Sequence, residues 1–367
     1  MDKIQGVELS DAGGQRRWNA LVAGQQGHLL QAWEWGEFKA SLGWQVKRIL
    51  ITQADQDVAG AQVLFKKLPV VPLTIAYIPK GPVVNWRDRA ATAQLFAAVH
   101  QVAQKQRAIF LTIEPDALDD AEIHASLEHL GFLATLRTNQ PRSTIVVDLS
   151  PDEAALLAAM RKKTRKLVRQ GEENGLQMVE GGFDDLDDLY QIMAHTARRK
   201  GHSLHGITFF EQEWRALQAT GVIHMLLARH NGQVVAAKMV ALFGERALHL
   251  WGGVSDAGRE LSASYFLQWK ALQWAKSHGC HQSDLWGIPD EVGALLKAGA
   301  DIPKDRTDDL WGVYIFKRGF GGAIEYYVGA YDYVYRPWLY RLGMNLLVGE
   351  RSVAQISGWL EGMFGAG

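Results

Sequence analysis

Residues 311–322 join an apolar run to a lysine and then to a loop with three glycines. Residues 313–316 are β-branched or aromatic and predict a buried strand, and the glycines allow a sharp exit from it. Lys317 would then stand at the strand end, where its ammonium group could stabilise negative charge that develops on a substrate. A solvated lysine that opens a turn is the alternative. From these residues alone, the solvated lysine is the favoured interpretation.

A second candidate pair lies on a short amphipathic helix near the start of the chain. Trp35, Phe38 and Leu42 recur at spacings of three and four, and Gly43 supplies a C-cap. Lys39 lies one turn after Trp35, so the two side chains could hold a phosphate beside an aromatic ring. A lysine whose aliphatic part covers a core helix is the commoner arrangement.

Six basic residues are packed into less than three turns of a predicted helix that begins at Ser150 and Pro151. They are Arg161, Lys162, Lys163, Arg165, Lys166 and Arg169. Their mutual repulsion is offset if they bind phosphates, and a tRNA acceptor arm or a diphosphate would gain from the release of counterions. A solvated helix face, partly neutralised by Glu172 and Glu173, is equally compatible with the sequence.

Several classes of chemistry lack their signatures. The chain has no Gly-x-x-x-x-Gly-Lys-Ser/Thr phosphate loop, no Gly-x-Ser-x-Gly elbow, no His-Glu-x-x-His pair, and no Gly-x-Gly-x-x-Gly that opens a helix after a strand. Its histidines are scattered without the spacing of metal ligands. We therefore expect neither a metal nor a cofactor.

Composition limits the partners and the compartment. A chain of 367 residues, 47% of them hydrophobic, is expected to form two domains. With 39 Lys and Arg against 40 Asp and Glu, a nucleic acid has to be met by a local basic patch and not by the whole surface. The single cysteine, Cys280, excludes an internal disulfide and fits a reducing compartment. Residues 1–14 lack a basic flank and an apolar run, so we expect a cytoplasmic protein.

One order of elements is predicted twice. The first copy has strands at 45–51, 58–65 and 74–78, a helix at 90–106 and a strand at 108–113. The second copy, about 170 to 180 residues later, has strands at 224–228, 234–242 and 247–251, a helix at 262–276, and strands at 283–286 and 313–316. We expect an α/β protein of two similar domains, each a mixed twisted sheet flanked by helices. The first domain is placed at residues 1–148, completed by about 325–367, and the second at 149–324.

This twice-used order resembles the acyltransferase fold of the GNAT superfamily. A CoA-dependent member would present an Arg/Gln-x-x-Gly-x-Gly/Ala loop that holds the pyrophosphate at a helix N-terminus. Here the corresponding stretch is Arg259-Glu-Leu-Ser-Ala-Ser264, with serines in place of both glycines. Because the serines crowd the approach of a pyrophosphate, we expect a donor other than CoA.

A closer resemblance covers nearly the whole chain. Its first stretches are Gln31-Ala-Trp-Glu-Trp-Gly-Glu-Phe-Lys39, Gly43-Trp44, the basic helix and Thr196-Ala-Arg-Arg-Lys-Gly201. Its later stretches are Ser262-Ala-Ser-Tyr-Phe-Leu-Gln-Trp-Lys270, Asp284-Leu-Trp-Gly-Ile288 and Phe316-Lys-Arg-Gly-Phe-Gly-Gly322. In order and spacing they resemble the FemABX family of tRNA-dependent aminoacyltransferases, which append amino acids to peptidoglycan precursors.

The resemblance implies roles for individual residues. Lys39 and Arg199 match the basic residues that hold the diphosphate and sugar-peptide acceptor, and Phe316 and Lys317 match the pair near the reacting ester. Trp251 stands where a tyrosine is common in the family. The expected substrate-binding residues are Trp35, Lys39, Arg199, Trp251 and Tyr265, and the six basic residues between 161 and 169 are expected to bind tRNA.

The implied reaction moves an amino acid from aminoacyl-tRNA to an amine of UDP-MurNAc-peptide or lipid II and builds the interpeptide bridge. The ester is already activated, so positioning of the amine can supply up to roughly 7–11 kcal/mol of the barrier. Lys317 would stabilise the oxyanion or the departing 3′ end of the tRNA, and substrate phosphate or ribose would take the proton of the amine. Two other functions stay open: a CoA-dependent N-acyltransferase acting on a small amine, and a non-catalytic precursor-binding protein.

The C-terminal part of the chain has two amphipathic stretches, at residues 338–348 and 356–364. The aromatic-rich segment before them, 331–338, is expected to return to the first domain. Packing of the amphipathic stretches on that domain is favoured. The alternative is peripheral contact with the inner membrane surface, where they would meet a lipid-linked precursor.

Overall fold

The computed structural model describes residues 5–9, 12–69, 71–200, 204–308 and 310–348. These residues form two compact units: unit 1 contains those up to Gln140 and those from Tyr327, and unit 2 is Pro141–Tyr326. Each unit has its own mixed sheet and its own hydrophobic core. The predicted mixed α/β class is confirmed. The predicted stretch at 356–364 lies outside the described residues.

The described residues of unit 1 up to Gln140 form seven strands and four α-helices. The strands are β1 (Gln5–Leu9), β2 (Gln45–Gln53), β3 (Gln56–Lys67), β4 (Thr74–Pro79), β5 (Val83–Val84), β6 (Ala108–Glu114) and β7 (Leu133–Thr135). The helices are α1 (Ala12–Gly24), α2 (Trp33–Ser41), α3 (Arg89–Lys105) and α4 (Ala121–His129). Aspartates cap the last two, because Asp88 accepts from the Ala91 N–H and Asp120 from the Ile123 N–H.

Unit 2 contains seven strands and eight α-helices among its described residues. The strands are β8 (Ser143–Asp148), β9 (Gln177–Gly181), β10 (Ile223–His230), β11 (Gln233–Phe243), β12 (Arg246–Val254), β13 (Gln282–Ile288) and β14 (Ala323–Tyr326). The helices are α5 (Glu153–Ala159), α6 (Lys162–Glu173), α7 (Leu186–Lys200), α8 (Ile207–Gln218), α9 (Asp256–Glu260), α10 (Ala263–Ser277), α11 (Asp290–Lys297) and α12 (Trp311–Lys317).

Strand β15 (Ala330–Val334) and helix α13 (Pro337–Val348) return to unit 1. The sheet of unit 1 has the order β1-β2-β3-β4-β6-β15-β7, with β5 beside β3. Strands β4 and β6 are parallel and are joined through α3, whereas the other pairs are antiparallel. Helix α3 packs on β2, β3 and β6, and buries Leu95, Phe96 and Val99 in the core.

The sheet of unit 2 repeats this plan in the order β14-β8-β13-β12-β11-β10-β9. Its parallel pair is β12 and β13, joined through α10, which buries Phe266, Trp269 and Trp274. The two parallel pairs differ in length. Strand β4 faces β6 from Thr74 to Pro79, whereas β12 faces β13 only from Arg246 to Leu248. Beyond Leu248, β12 and β13 separate.

The predicted strand at 313–316 is wrong, because these residues belong to helix α12. A short apolar run does not distinguish a strand from a helix, and here Trp311 and Tyr314 are buried at a helical spacing of three. The strand position beside β8 is taken by β14. The predicted glycine exit is present, because Gly321 and Gly322 have φ of +85° and +88°. Lys317 therefore ends a helix.

The single helix predicted from Ser150 to Arg169 is two helices. Asp152, not Ser150, caps α5 by accepting from the Ala155 N–H. Helix α5 ends before Met160, whose backbone is extended, and α6 starts after Arg161. Because of this break, most of the basic residues lie in the first turns of a separate helix, α6.

None of the described helices combines the length and the apolar composition that a bilayer crossing requires.

Candidate active site

Unit 2 contains a cavity of about 380 Å³ at the point where β12 and β13 separate. We call it the unit 2 cavity. A β-bulge shapes its wall, because Met239 faces Trp251 and Val240 faces His249, so that Leu250 is the extra residue of β12. Its lining is mostly apolar, with a few polar side chains: Thr196, Lys238, His249, Ser264 and Lys317. A largely apolar cavity with convergent polar groups is the usual form of a small-molecule or reaction site.

Lys317 enters the unit 2 cavity from the end of α12. Its Nζ donates to the carbonyls of Trp286 at 3.0 Å and Gly287 at 2.7 Å. Trp286 has a φ of +65°, which is rare for a bulky residue, and Asp284 Oδ1 accepts its N–H at 2.8 Å. Asp284 therefore caps this turn. The strained turn directs two carbonyls at one ammonium group, and among the described residues its third N–H has no further acceptor.

The electrostatics of the cavity favour anions. Burial and the neighbouring Lys238 lower the pKa of Lys317 to about 7, while Asp284 acts in the opposite direction. Burial also lowers the pKa of Lys238 to about 8. His249 is held neutral, since burial and the two lysines lower its pKa well below the usual value. The Gln268 amide donates to its Nδ1, and its Nε2–H donates to Ser283 Oγ at 2.8 Å.

Two of the predicted aromatic residues take different places around Lys317. Phe316 lines the unit 2 cavity. Tyr265 packs behind it, with its ring centre 5.0 Å from that of Phe316 and 6.0 Å from that of Phe320. Tyr265 is absent from the residues that line the cavity in the described structure. Phe316 therefore forms part of the cavity wall, and Tyr265 packs against it and Phe320.

Trp251 forms another wall of the unit 2 cavity. Its indole N–H donates to Glu213 at 2.9 Å, and its ring meets Phe209 and Phe210 edge to face. A tryptophan held from two sides presents a fixed surface to a ligand.

Arg199 lies in α7, one residue before the end of that helix. Its side chain lies outside the described part of the structure. Thr196, one turn earlier on α7, lines the unit 2 cavity.

Trp35 and Lys39 come together on α2 in unit 1. The ammonium group of Lys39 lies 5.0 Å from the ring centre of Trp35 and 5.2 Å from that of Phe38. Each of Trp35 and Lys39 is only 3% exposed. The helix thus holds the lysine against aromatic rings, and an acceptor could reach its ammonium group only if neighbouring side chains move.

The basic residues of α6 divide into a surface group and a structural one. Arg161, Lys162, Lys163, Lys166 and Arg169 are exposed. Arg165 donates instead to the carbonyls of Leu157, Ala158 and Met160 and so caps the C-terminal end of α5. Glu172, expected to neutralise the cluster, pairs with Lys270 at 2.9 Å. Five basic side chains therefore face solvent, one at the N-cap of α6 and four along the helix.

Lys238 is a cavity residue that sequence reasoning missed. It interrupts the apolar strand β11, and its neighbour across the sheet is Gly252 in β12. A charged residue in the middle of a predicted buried strand is the signal that could have identified it. The described residues contain no group of three His, Cys, Asp or Glu side chains arranged to hold a metal ion.

The chain is similar to known proteins in both sequence and structure. The sequence model of the FemAB family matches residues 19–228 and 215–346. A lipid II:glycine glycyltransferase of Staphylococcus saprophyticus is 23% identical, over 89% of this chain and 92% of the relative. The crystal structure of FemX superposes with a TM-score of 0.82 at 20% identity, over 92% of this chain and 99% of that one. A tandem GNAT protein from clavulanic acid biosynthesis has a TM-score of 0.52 at 14% identity, over 90% and 98% of the two chains.

The structural matches confirm the predicted fold of two GNAT-like units. Because the staphylococcal relative is a glycyltransferase, the expected assignment to the acyltransferases is confirmed as well. The family model covers most of the chain, including the unit 2 cavity and α12. This chain belongs to the FemAB family.

Proposed function

We propose that this protein moves an amino acid from aminoacyl-tRNA to an amine of a peptidoglycan precursor, and so builds the interpeptide bridge. Its similarity to lipid II:glycine glycyltransferases over nearly nine-tenths of the chain supports the acceptor class. The observation that carries the reaction is the anchored ammonium group of Lys317 in the unit 2 cavity, with one N–H left for a ligand. No metal or cofactor enters the proposed reaction.

The chemistry is an attack of the acceptor amine on the ester carbonyl of the aminoacyl-tRNA. The electron pair of the carbonyl moves to its oxygen, and Lys317 donates its third N–H to this oxyanion. Collapse of the intermediate re-forms the carbonyl and releases the ribose hydroxyl of the tRNA. Phe316 and Trp251 exclude water from the ester. The hydrogen bond to Glu213 fixes the ring of Trp251, and the fixed ring helps to position the ester.

The acceptor is proposed to contact Trp35, Lys39, Arg199 and Trp251. Tyr265, also expected to bind substrate, is proposed to act indirectly by packing against Phe316. The indole N–H of Trp35 supports this role, because it is buried without an acceptor in the described structure. An unsatisfied buried donor costs about 1–3 kcal/mol, which a substrate oxygen would recover. If Lys317→Ala leaves turnover unchanged and Lys39→Ala abolishes it, the two roles are assigned to the wrong residues.

The tRNA is proposed to bind the exposed basic residues of α6. Arg161 makes no side-chain cap bond, so the free N–H groups of the first turn add to the positive charge of the side chains. Partial burial and the nearby Arg318 lower the pKa of Arg161, which indicates that a further positive charge lies beside the cluster. These charges would meet the phosphates of an acceptor arm.

A lipid-linked acceptor would bring the protein to the inner membrane surface. Trp338 and Leu342, one turn apart on α13, are 68% and 52% exposed, and Arg341 is exposed beside them. Exposed aromatic and aliphatic side chains next to basic ones suit the boundary of an anionic bilayer. Flotation with vesicles containing anionic lipid should carry the wild-type chain upward and leave a Trp338→Ser, Leu342→Ser variant at the bottom. Equal flotation of both would remove this contact from the proposal.

The proposal is tested with a pool of isotopically labelled aminoacyl-tRNAs. The purified chain is incubated with the pool and with either UDP-MurNAc-peptide or lipid II, and the label in the precursor is measured. We expect transfer by the wild-type protein and a loss of at least about 100-fold in Lys317→Met. Binding of the precursor without any transfer would instead identify a precursor-binding protein.

A further inference from the structure

Lys238 projects into the unit 2 cavity from the middle of β11. Directly across the sheet stands Gly252, and side chains of directly opposed residues point to the same face. Because Gly252 has no side chain, nothing at that position covers the lysine. Gly253 follows, and a Cβ there would lie 2.8 Å from Ile192 Cγ2. Gly253 thus lets α7 approach the sheet, and Gly252 leaves room for a ligand beside Lys238.

The charges in this cavity are not balanced by its own lining. Lys238 and Lys317 both line it, and no Asp or Glu is among the described residues that line it. In the described part of the chain Lys238 has no ion pair or hydrogen bond from its ammonium group. Asp284 acts on Lys317, but it is already bound to the Trp286 N–H and the Thr144 hydroxyl. A partly buried pair of ammonium groups without a carboxylate matches a ligand that brings negative charge.

We propose that Lys238 is a second catalytic residue, whose ammonium group joins that of Lys317 in binding the oxyanion formed at the ester carbonyl. This inference rests on the proposed function. When the amine nitrogen bonds to the carbonyl carbon, the displaced electron pair gives the oxygen a full negative charge between the two lysines. When the bond from that carbon to the ribose oxygen breaks, the pair returns to the carbonyl. The proton that the amine loses is matched by the proton that the ribose oxygen gains.

The two lysines are expected to act together. The charge of Lys238 opposes protonation of Lys317. An oxyanion between them reverses this repulsion, because it attracts both charges. The interaction is absent before the carbonyl is attacked, so it accelerates the chemical step and does not tighten ground-state binding.

Two variants of Lys238 separate a cationic role from a proton-accepting one. Lys238→Met should lower kcat by about 100- to 1000-fold, with KM for the aminoacyl-tRNA unchanged, as expected for a lost oxyanion donor. Lys238→Arg keeps the charge and the donors and never loses its proton, so it should recover a large part of this loss. Lys304→Met, at an exposed lysine, serves as the matched control and should retain wild-type kcat.

Steady-state kinetics of these variants with charged tRNA and precursor decide the question. If Lys238→Met keeps wild-type kcat, or raises only KM, the catalytic role is overturned. If Lys238→Arg is as inactive as Lys238→Met, the residue does not act as a cation, and the proposal is overturned in favour of a proton acceptor. If the wild-type chain transfers nothing, the proposed function fails together with this inference, whereas the outcomes above refute only the role of Lys238.

A second measurement does not depend on turnover. Competitive acetylation with acetic anhydride, followed by mass spectrometry, reports the pKa of Lys317 in the full chain. The charged or titratable groups that face Lys317 are Lys238 from β11, His249 from β12 and Asp284 from β13. Lys238→Met should raise the pKa of Lys317, since a like charge is removed. An unchanged pKa would show that the two ammonium groups do not act on one ligand atom.

Discussion

Replacement of Lys317 by methionine should stabilise the ligand-free protein at acidic pH and lose this effect at alkaline pH. The pKa of Lys317 is lowered from 10.5 to about 7, which corresponds to at most about 5 kcal/mol in favour of the neutral form. Below about pH 7 the side chain is charged in both the native and the unfolded state, so the native state carries the full cost of the buried charge. Above about pH 10.5 it is neutral in both states, and the cost is absent.

Between these limits the unfolded chain binds more protons at residue 317 than the native one, so wild-type stability rises with pH. A methionine at residue 317 binds no proton, so it adds no pH dependence to the stability. It also loses the bonds to the Trp286 and Gly287 carbonyls, at about 0.5–1.5 kcal/mol each, but this loss is the same at every pH. The difference in unfolding free energy between variant and wild type should therefore fall by up to about 5 kcal/mol as pH rises.

Urea unfolding followed by circular dichroism, at several values between about pH 6 and pH 10, measures this difference. Lys304→Met, at an exposed position, should differ from wild type by a constant amount across the series. A difference for Lys317→Met that stays constant, or grows with pH, would refute the argument that a buried charge is held at this place for function.

Three further outcomes test other parts of the structure. The triple variant Lys162→Glu, Lys163→Glu, Lys166→Glu should bind RNA more weakly in filter assays. The slope of log K against log salt concentration should become shallower by ~0.7–0.9 per lost phosphate contact, and an unchanged slope would exclude the exposed face of α6 as the RNA-binding surface. Arg165→Ala should lower the free energy of unfolding by about 1–3 kcal/mol, because the carbonyls at the end of α5 lose their donor, and should leave the salt slope intact. Gly258→Ala, whose Cβ would lie 2.2 Å from Val235 O, should cost about 1–3 kcal/mol in thermal unfolding, whereas Gly24→Ala meets nothing within 4 Å and should not destabilise by steric contact; equal melting of the two would contradict the packing.

Much of the fold was accessible from sequence because local signals agree with the tertiary structure. Alternating apolar residues and the Asn231-Gly232 turn gave β10 and β11, and the aspartates before α3 and α4 mark their starts. Helix α12 was missed because its four central residues satisfy strand propensity. Only the pairing of β14 with β8, which fills the strand position, decides against a strand there.

The site was partly accessible. A family resemblance singled out Lys317 and Phe316, and both line the unit 2 cavity. The carbonyls that hold Lys317 could not be predicted, since Trp286 adopts a positive φ that no sequence pattern requires. Lys238 was hidden for a different reason. The oxyanion-binding role proposed for Lys238 depends on the pairing of β12 with β13, which ends at Leu248, and on the glycine opposite Lys238. Both are features of the tertiary structure.

The central claim is that an amino acid passes from tRNA to a cell-wall precursor within this chain. The most direct measurement is the mass of the precursor after incubation with the protein and charged tRNA. The account predicts a gain of whole amino acid residues on a precursor amine, abolished when the tRNA is digested by ribonuclease beforehand. A precursor mass that does not change with any charged tRNA, or a gain that survives the digestion, would contradict it.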